Sequence, residues 1–397
     1  MHLNIRSKYY KQILSYLNQD GHEARIIGGC VRDAILEIPN ADIDIATSLT
    51  PDQIQDVLKH NNIATIEVGK SFGTIIARIC NEVFEITTLR KDIKSDGRYA
   101  SVVFCKDFKV DSQRRDFTIN ALSYCPFKNQ LYDYHKGLDD LRNHRVRFIG
   151  NANTRICEDY LRILRFFRFS CYYADQIDQE GLNVSIKFKS HLDIISKERV
   201  KQELDKMVTC NNNIDILSIM KDKSIFSQIL PCIDINVAQL ARANNCANSF
   251  NITLNKNIKY AVLLKSTDAP NVAYLKKYKF TKEEIRVIKQ LFNLIRYIIE
   301  IKDIDLAMKI VWINYDIEYL IAIFACGYFS KSDVDRFFTN YHRRTKPKFP
   351  INGHDVKDYF QTVDIKNILW QLRFEWIKSD FQLSKDSLLS MAFSSWK

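Results

Sequence analysis

Residues 26–33 of the chain read IIGGCVRD, and residues 42–47 read DIDIAT. The first stretch places two glycines between a β-type run and the start of a predicted helix, and Arg32 follows on that helix. Glycine lets backbone N–H groups approach a phosphate closely, a helix N-terminus favours negative charge, and a guanidinium can clamp the anion. Gly28, Gly29 and Arg32 are therefore candidate phosphate-binding residues, although a Gly-Gly pair before a helix is on its own usually a turn.

The second stretch carries two carboxylates, Asp42 and Asp44, in a β-type run. Residues two apart on a strand point to the same face, so both side chains project together. Adjacent carboxylates repel each other unless they share cations, and Mg²⁺ prefers oxygen ligands and bridges phosphates. Two metal ions held this way can activate an attacking hydroxyl and stabilise a leaving pyrophosphate. An exposed strand edge explains a lone Asp-x-Asp, but it does not explain the glycines and Arg32 just upstream.

Outward from these stretches, the chain divides into an α/β part and a helical part. β-type runs that alternate with helices predict strands at 24–27, 42–46, 63–68, 74–79, 83–88 and 117–124. From about Asn153 onward, apolar residues recur at spacings of three and four, which is typical of helices. We therefore expect an α+β fold, with a small mixed sheet in an N-terminal head and an all-helical remainder.

The composition of the chain indicates which kind of partner it binds and in which cell compartment it works. A net charge of +11 favours a polyanionic partner, although many basic proteins bind no nucleic acid. The ten cysteines include no CxxC pair, so zinc spacing is absent from the sequence. The N-terminal residues show no leader pattern, and the sequence contains no apolar run of about 18 residues. We expect a reduced, cytoplasmic protein with no membrane segment, and nothing implies a protein partner.

Five motifs together resemble those of the class II tRNA nucleotidyltransferase and bacterial poly(A) polymerase family, within the DNA polymerase beta superfamily. The two opening stretches resemble its first motif. The other motifs follow in the family's order: residues 114–122 resemble the ribose-recognition motif, 133–141 the hinge motif, 158–165 the base-selecting motif and 196–204 the last motif. The resemblance covers roughly residues 24–205.

The resemblance implies roles for individual residues. Asp42 and Asp44 match the catalytic ligands of Mg²⁺. The residues that match nucleotide-binding positions are Gly28, Gly29, Arg32, Arg115, Asp116, Asp159, Arg162, Arg165 and Arg168. Glu85 resembles a possible third acidic position, although a cross-strand ion pair explains it equally well.

The segment 158–168 can also be interpreted from its own chemistry. On one continuous helix, steps of three place Asp159, Arg162, Arg165 and Arg168 in a slowly winding polar stripe. Asp159 and Arg162 then form either an ion pair on a solvated face or a pair that contacts a base. Cytosine and adenine present an amino donor beside a ring-nitrogen acceptor, so a carboxylate with a guanidinium accepts them and rejects uracil and guanine.

The implied function is template-independent addition of CCA to the 3′ end of tRNA from CTP and ATP. The implied domains are a catalytic head at 1–145, a helical neck with the nucleotide-selecting helix at 146–210, a helical body at 211–275 and an RNA-binding tail at 276–397. Segment 89–99 resembles the flexible loop that full CCA-adding members use to switch from C to A. The alternatives are a poly(A) polymerase of the same family and a non-catalytic RNA-binding protein. The basic segment 343–348 is either a solvated linker or an RNA contact.

Overall fold

A computed structural model of the chain describes residues 3–39, 42–69, 72–96, 99–264, 271–341, 344–357 and 365–396. The chain forms two compact units, Met1–Ile229 and Leu230–Lys397. Within the described ranges, no helix is long and apolar enough to cross a membrane. The four-domain division expected from the sequence stays a prediction.

A seven-stranded mixed sheet forms the centre of the first unit, with strand order β3-β4-β5-β2-β1-β8-β9. Its strands are β1 (Ala24–Ile27), β2 (Ile43–Thr47), β3 (Ala64–Gly69), β4 (Thr74–Ile79), β5 (Glu82–Thr88), β8 (Ser123–Cys125) and β9 (Gln130–Tyr132). Strands β2 and β5 pair in parallel, and the other neighbouring pairs are antiparallel. Two further strands, β6 (Arg90–Asp96) and β7 (Tyr99–Phe104), form a separate hairpin.

Alternation along the strands divides the sheet into a buried face and an open face. Ile75, Ala77, Phe84 and Ile86 are all completely buried, and α3 packs against β3 and β4. The intervening residues, which include Asp44 and Glu85, point to the other face because side chains alternate along a strand. The buried apolar set fixes the register, since a slip by one residue would exchange the two faces.

Helices complete the first unit and form the second. Those of the first unit are α1 (Tyr10–Leu17), α2 (Gly29–Ile35), α3 (Pro51–His60), α4 (Phe108–Gln113), α5 (Gly137–Arg142), α6 (Ala152–Glu158), α7 (Leu161–Tyr173), α8 (Gln179–Phe188), α9 (Lys197–Thr209), α10 (Ile214–Asp222) and α11 (Phe226–Ile229). Those of the second unit are α12 (Val237–Ser249), α13 (Lys256–Leu263), α14 (Val272–Lys277), α15 (Lys282–Ile299), α16 (Ile304–Asn314), α17 (Ile317–Ala325), α18 (Lys331–Tyr341), α19 (Gly353–Lys357), α20 (Ile365–Lys378) and α21 (Lys385–Trp396). The expected α+β fold with a helical C-terminal region is confirmed.

Capping and burial explain the longest helix of the second unit. Thr281 and Glu284 form a capping box at the start of α15, and the side chain of Glu284 is also paired with Lys256. Apolar residues at helical spacing along α15 are buried against α13 and α17. The basic segment 344–348 lies between α18 and α19, as expected for a linker, and Arg343 lies outside the described residues.

Two strand-level predictions are wrong. The strand expected at 117–124 begins only at Ser123, because Thr118–Asn120 forms a 3₁₀ turn whose Thr118 hydroxyl donates to Asp140 Oδ2 at 2.6 Å. Side-chain hydrogen bonding has overridden the β-propensity of the segment. The segment 89–99, expected as a loop, mostly forms β6 and the start of β7, with Gly97 and Arg98 outside the described residues.

The helix expected through 158–168 is broken. Helix α6 ends at Glu158, Asp159 has extended backbone angles of φ −157° and ψ 108°, and α7 begins at Leu161. The Asp159 Oδ1 atom accepts a hydrogen bond from the Leu161 N–H at 3.1 Å. Aspartate competes with the helical backbone for hydrogen bonds, which favours it at helix ends. Asp159 therefore does not share a continuous helical stripe with Arg162.

Candidate active site

The turn between β1 and α2 requires glycine at its first position. Gly28 has φ +69°, and a Cβ added there would lie 3.1 Å from Arg115 Nη1. Both the positive φ and the close approach of a guanidinium exclude larger residues. Gly29 is the first residue of α2, and a Cβ there would make an ordinary contact of 3.4 Å with Arg32 Nη2. The turn therefore presents backbone and two arginines to the same space.

Arg32 is buried and held in one orientation. Its Nε donates to Asp33 Oδ1 at 2.8 Å, and its Nη1 donates to Asn120 Oδ1 at 2.5 Å. The guanidinium lies over the ring of Tyr173, 4.2 Å from its centroid, and the Tyr173 hydroxyl donates to Asp33. A cation fixed in this way loses little conformational entropy when an anion binds.

Acidic side chains crowd together at the centre of the sheet. Asp44 on β2 pairs in parallel register with Glu85 on β5, and Asp42 immediately precedes β2 and is exposed. Burial first, and then the charges of Glu85 and Asp42, raise the pKa of Asp44 to about 6, while Arg115 opposes this shift. The strand neighbours of Glu85 are Asp44 and Ile76, so the cross-strand ion pair considered for Glu85 is not formed in this register.

Asp116 connects the head to α7. Its Oδ2 atom lies 2.7 Å from Arg165 Nε and 2.6 Å from Arg165 Nη2, while its Oδ1 accepts from Asn120 Nδ2 at 3.0 Å. Burial alone would raise the pKa of Asp116, but Arg165 and Asn120 outweigh burial and lower it. Because Asn120 also binds Arg32, one network orients both arginines.

Asp159 and Arg162 have separate partners. Arg199 Nη2 on α9 donates to Asp159 Oδ2 at 2.6 Å. Arg162 donates to the backbone oxygens of Arg155 and Arg114 at 2.9 and 3.2 Å. Arg162 also pairs with Glu158, so the surface ion pair between Asp159 and Arg162 is not formed. Each of the two side chains is anchored independently.

One cavity of about 650 Å³ brings most of the candidate residues together. Its lining includes nine of them, namely Gly28, Gly29, Arg32, Asp44, Arg115, Asp116, Asp159, Arg162 and Arg165. Asp42 lies two residues before Asp44 at the exposed start of β2. Arg168 instead lies over the Phe169 ring at 4.1 Å and pairs with Glu203, so its expected contact with the nucleotide is not supported by its position.

The cavity also contains side chains that the sequence did not single out as site residues. These are Thr74, Thr87, Arg90, Arg114, Asn120, Phe169 and Arg199. Thr87 could have been predicted from the alternation of side chains along β5, because it lies two residues after Glu85 and therefore on the same face of the strand. Seven arginines and four carboxylates line the cavity, which favours a polyanionic ligand.

The donor chemistry at the start of β2 suits a hard cation. Within the described ranges, no group of three His, Cys, Asp or Glu side chains is arranged to hold a metal ion. Mg²⁺ is usually bound through one or two carboxylates together with substrate phosphates, rather than in a cage made only of protein ligands. Asp42 and Asp44 therefore fit a cation that is completed by a bound triphosphate.

Comparison with known proteins places this arrangement in a family. The family model described as "Poly A polymerase head domain" matches residues 24–147, and the one described as "Probable RNA and SrmB- binding site of polymerase A" matches residues 176–236. The chain is 32% identical to the human "CCA tRNA nucleotidyltransferase 1, mitochondrial" over 96% of this chain and 88% of the relative. It is 38% identical to the CCA-adding enzyme of Staphylococcus epidermidis over 55% of this chain and 54% of that enzyme.

Solved structures share the fold. The CCA-adding enzyme of Thermotoga maritima complexed with tRNA matches with a TM-score of 0.72 at 19% identity, covering 98% of this chain and 94% of that one. The Bacillus stearothermophilus CCA-adding enzyme in complex with CTP matches with a TM-score of 0.68 at 20% identity, covering 96% and 95%. Because the human relative aligns along nearly the whole chain, the chain belongs to the family of class II CCA-adding enzymes and poly(A) polymerases.

Proposed function

We propose that this chain adds CCA to the 3′ end of tRNA, using CTP and ATP and no nucleic-acid template. The observation that carries the proposal is a single cavity in which strand carboxylates, fixed arginines and the pair Asp159 and Arg162 meet. The human relative is named a CCA tRNA nucleotidyltransferase, and two solved relatives are complexes with CTP and with tRNA. These ligands suit a cavity that is rich in arginine.

The triphosphate binds to the arginines around the glycine turn. Arg32, Arg115 and Arg165 each have a fixed protein partner, and each lines the cavity. Planar guanidinium groups recognise phosphate oxygens with directed hydrogen bonds. Their preorganisation holds the α-phosphorus beside Asp44, where the 3′ oxygen of the RNA forms the new bond as the bond to pyrophosphate breaks.

Asp42 and Asp44 would hold Mg²⁺ between the protein and the triphosphate. When bound, the metal supplies a Lewis acid that activates the RNA hydroxyl and neutralises the leaving pyrophosphate. The protein's own contribution is Asp44 on β2, in register with Glu85, together with Asp42 immediately before the strand. Burial first, and then repulsion from Glu85 and Asp42, raise the pKa of Asp44, and a bound cation would offset both effects by favouring the charged carboxylate.

Base selection rests on Asp159 and Arg162. The Asp159 carboxylate keeps further lone pairs besides those used by Leu161 and Arg199, so it can accept from the amino group of cytosine or adenine. Arg162, held by two backbone oxygens, donates to the adjacent ring nitrogen. Uracil and guanine place an oxygen and an N–H at these positions, which repels the carboxylate and the guanidinium.

A primer-extension assay tests the proposal. Purified protein is incubated with Mg²⁺ and tRNA that lacks its CCA end, with CTP alone, with ATP alone, or with both. We expect C addition from CTP, and a product that ends after CCA when both are present, while tRNA with a complete CCA end is not extended. A ladder of A residues from ATP alone identifies a poly(A) polymerase, and RNA binding without extension identifies a non-catalytic RNA-binding protein.

We also propose a role for the helical regions and a location for the protein. The first is that residues 146–397 form the neck, body and tail that hold the RNA, which fits the match of residues 176–236 to an RNA-binding model. The second is a cytoplasmic location. The human and mouse relatives are named as mitochondrial enzymes, so cell fractionation, which distinguishes the two compartments, is the test.

A further inference from the structure

The head's sheet has an open face that runs from the acidic centre to its β3 edge. Asp44 on β2 pairs with Glu85 on β5, Glu85 pairs with Ile76 on β4, and Ile76 pairs with Ile66 on β3. Directly paired residues on neighbouring strands point to the same face of a sheet. The row that begins with the acidic residues therefore continues as two isoleucines.

Neither isoleucine belongs to the buried core of the head, since Ile66 is exposed and Ile76 is half-buried. The opposite face of the same strands supplies the completely buried side chains Ile75, Ala77, Phe84 and Ile86. On the open face, Ile66 is 48% exposed, and Val83, two residues before Glu85 on β5, is 47% exposed. Exposed apolar side chains that lie together beside a catalytic centre indicate a binding surface more than isolated ones do.

The side chain of an arginine lies beside these apolar residues. Arg78 on β4 pairs with Val83 in the sheet register and is exposed. We call Ile66, Ile76, Arg78 and Val83 the acceptor face. Aliphatic side chains can pack against riboses and base faces, and an arginine beside them can pair with a backbone phosphate, so the face suits a short contact with single-stranded RNA.

The position of the nucleotide cavity indicates which part of the RNA binds to the acceptor face. The cavity takes its phosphate-binding arginines from α2, the segment after α4, and α7, and none of the four acceptor-face residues lines it. In phosphoryl transfer, the attacking and leaving oxygens lie roughly in line on opposite sides of the phosphorus. Thr74, Glu85 and Thr87 extend the wall of the cavity over β5 and β4, so the acceptor face begins where the cavity ends. It is the open surface of the sheet that adjoins the acidic centre outside the cavity, where the RNA that carries the attacking hydroxyl can lie.

We propose that the acceptor face binds the last one or two nucleotides of the RNA whose 3′ hydroxyl is extended, an inference that rests on the proposed function. Neighbouring strands lie about 4.8 Å apart, so Ile76 and Ile66 extend to about 5 and 10 Å from Glu85. That reach covers the end of a single strand and not a folded RNA domain. The face contacts ribose, base and phosphate without selecting the incoming nucleotide.

The test is a charge reversal at one exposed position. Ile66→Glu should raise the KM for tRNA lacking CCA by roughly tenfold, because a carboxylate repels RNA phosphates, and Ile66→Lys should leave it within about twofold or lower it. Arg78→Gln should raise the same KM by about three- to tenfold and reduce the slope of log KM against log salt by about 0.7. The KM for CTP should stay at the wild-type value in all three variants.

The control lies at the opposite edge of the same sheet. Phe127, in the turn between β8 and β9, is 54% exposed, and Phe127→Glu should leave both KM values unchanged. Val83→Thr keeps the shape and branching of the strand residue, so we expect its melting temperature to stay unchanged while its KM for RNA rises. That combination shows that Val83 acts in RNA binding and not in folding.

The outcomes distinguish this inference from the proposed function. If the wild type extends no tRNA with C or A, the proposed function fails. If the wild type does extend it, a wild-type RNA KM in Ile66→Glu and Arg78→Gln overturns the acceptor face. Equal losses in Ile66→Glu and Ile66→Lys, or a change in the mass of the particle in solution, would assign the face to strand stability or to self-association and would also overturn it.

Discussion

Asp44 occupies a position that costs the protein stability. It is largely buried, its parallel neighbour is Glu85, and Asp42 lies two residues away. Each of these features disfavours the charged carboxylate, and together they raise its pKa to about 6. Such an arrangement is expected where a carboxylate serves chemistry and not folding.

Replacing Asp44 by Asn tests this at the level of stability. The folded-state pKa of about 6 lies above the unfolded value of about 3.9, so the carboxyl supports folding below pH 3.9 and loses this contribution as pH rises through 6. In EDTA at pH 7.5, Asp44→Asn should therefore be more stable than the wild type by about 2–3 kcal/mol, and equal to it near pH 4.

Urea unfolding at the two pH values measures the difference, and extension assays on the same preparations should show that activity is abolished. Equal or lower stability of the variant at pH 7.5 would contradict the claim that the ionised carboxylate of Asp44 destabilises the folded protein.

Asp159 and Arg162 make a second prediction at this scale. Asp159→Ala should relax discrimination against UTP and GTP, because no carboxylate remains to repel a carbonyl oxygen. Arg162→Ala should mainly lower incorporation of C and A, and each lost contact should cost about 1–3 kcal/mol in kcat/KM. The measurement is kcat/KM for the four triphosphates on one tRNA. A common slowing of all four would assign the two residues a structural role.

The sequence predicts individual residues of the site better than their contacts. Asp42 and Asp44 follow from strand spacing and Arg32 from its place after the glycines, since a strand or a helix converts spacing into direction, whereas Arg115 and Asp116 were predicted only from the resemblance to the family. The partner of Asp159 could not be predicted in this way, because Arg199 lies on α9, 40 residues along the chain. Arg168 was expected at the nucleotide because it matches a nucleotide-binding position of the family and continues a polar stripe by spacing, but it pairs with Glu203 on α9 instead.

At the scale of elements, α5 packs against the 3₁₀ turn that carries the Asp116 network. A Cβ added at Gly137 would lie 2.2 Å from the Thr118 backbone oxygen, so α5 and the turn approach each other as closely as backbones allow. Thr118 is two residues from both Asp116 and Asn120. The position of this helix therefore determines the position of the arginines that Asp116 and Asn120 hold.

Gly137→Ala should separate the two elements. We expect a destabilisation of about 1–3 kcal/mol and a raised KM for CTP, because the network around Asp116 shifts. Thermal melting and steady-state kinetics measure the two effects. Gly353→Ala is the matched control, since a Cβ there meets nothing within 4 Å. A variant at Gly137 that melts and binds CTP like the wild type would show that the contact tolerates a methyl group.

Elements were predictable where one physical signal dominated. Alternation gave β4 its observed bounds, Thr74–Ile79, because its inward side chains are uniformly apolar. The β6–β7 hairpin was missed because Arg90, Lys91 and Asp92 have low strand propensity, and pairing with β7 determines their structure instead. The break at Asp159 was missed because apolar periodicity continues through it, whereas a single side-chain hydrogen bond ends the helix.

For the whole molecule, the net charge of +11 predicts how RNA affinity responds to salt. Each phosphate neutralised by a lysine or arginine releases counterions, so log Kd should rise linearly with log salt. Binding of tRNA at a series of KCl concentrations measures the slope, with CTP binding as the comparison. A flat response would indicate that RNA does not bind through its phosphates, and would favour a small-molecule acceptor.

The most direct test of the central claim is the sequence of what the protein adds. The tRNA lacking CCA is incubated with Mg²⁺ and all four nucleoside triphosphates at equal concentration, and the 3′ ends are sequenced. The proposed CCA addition predicts C, C and A in that order, followed by termination, and the proposed base contacts of Asp159 and Arg162 predict that neither U nor G is added. Products ending in runs of A, or products containing U or G at the added positions, would contradict it.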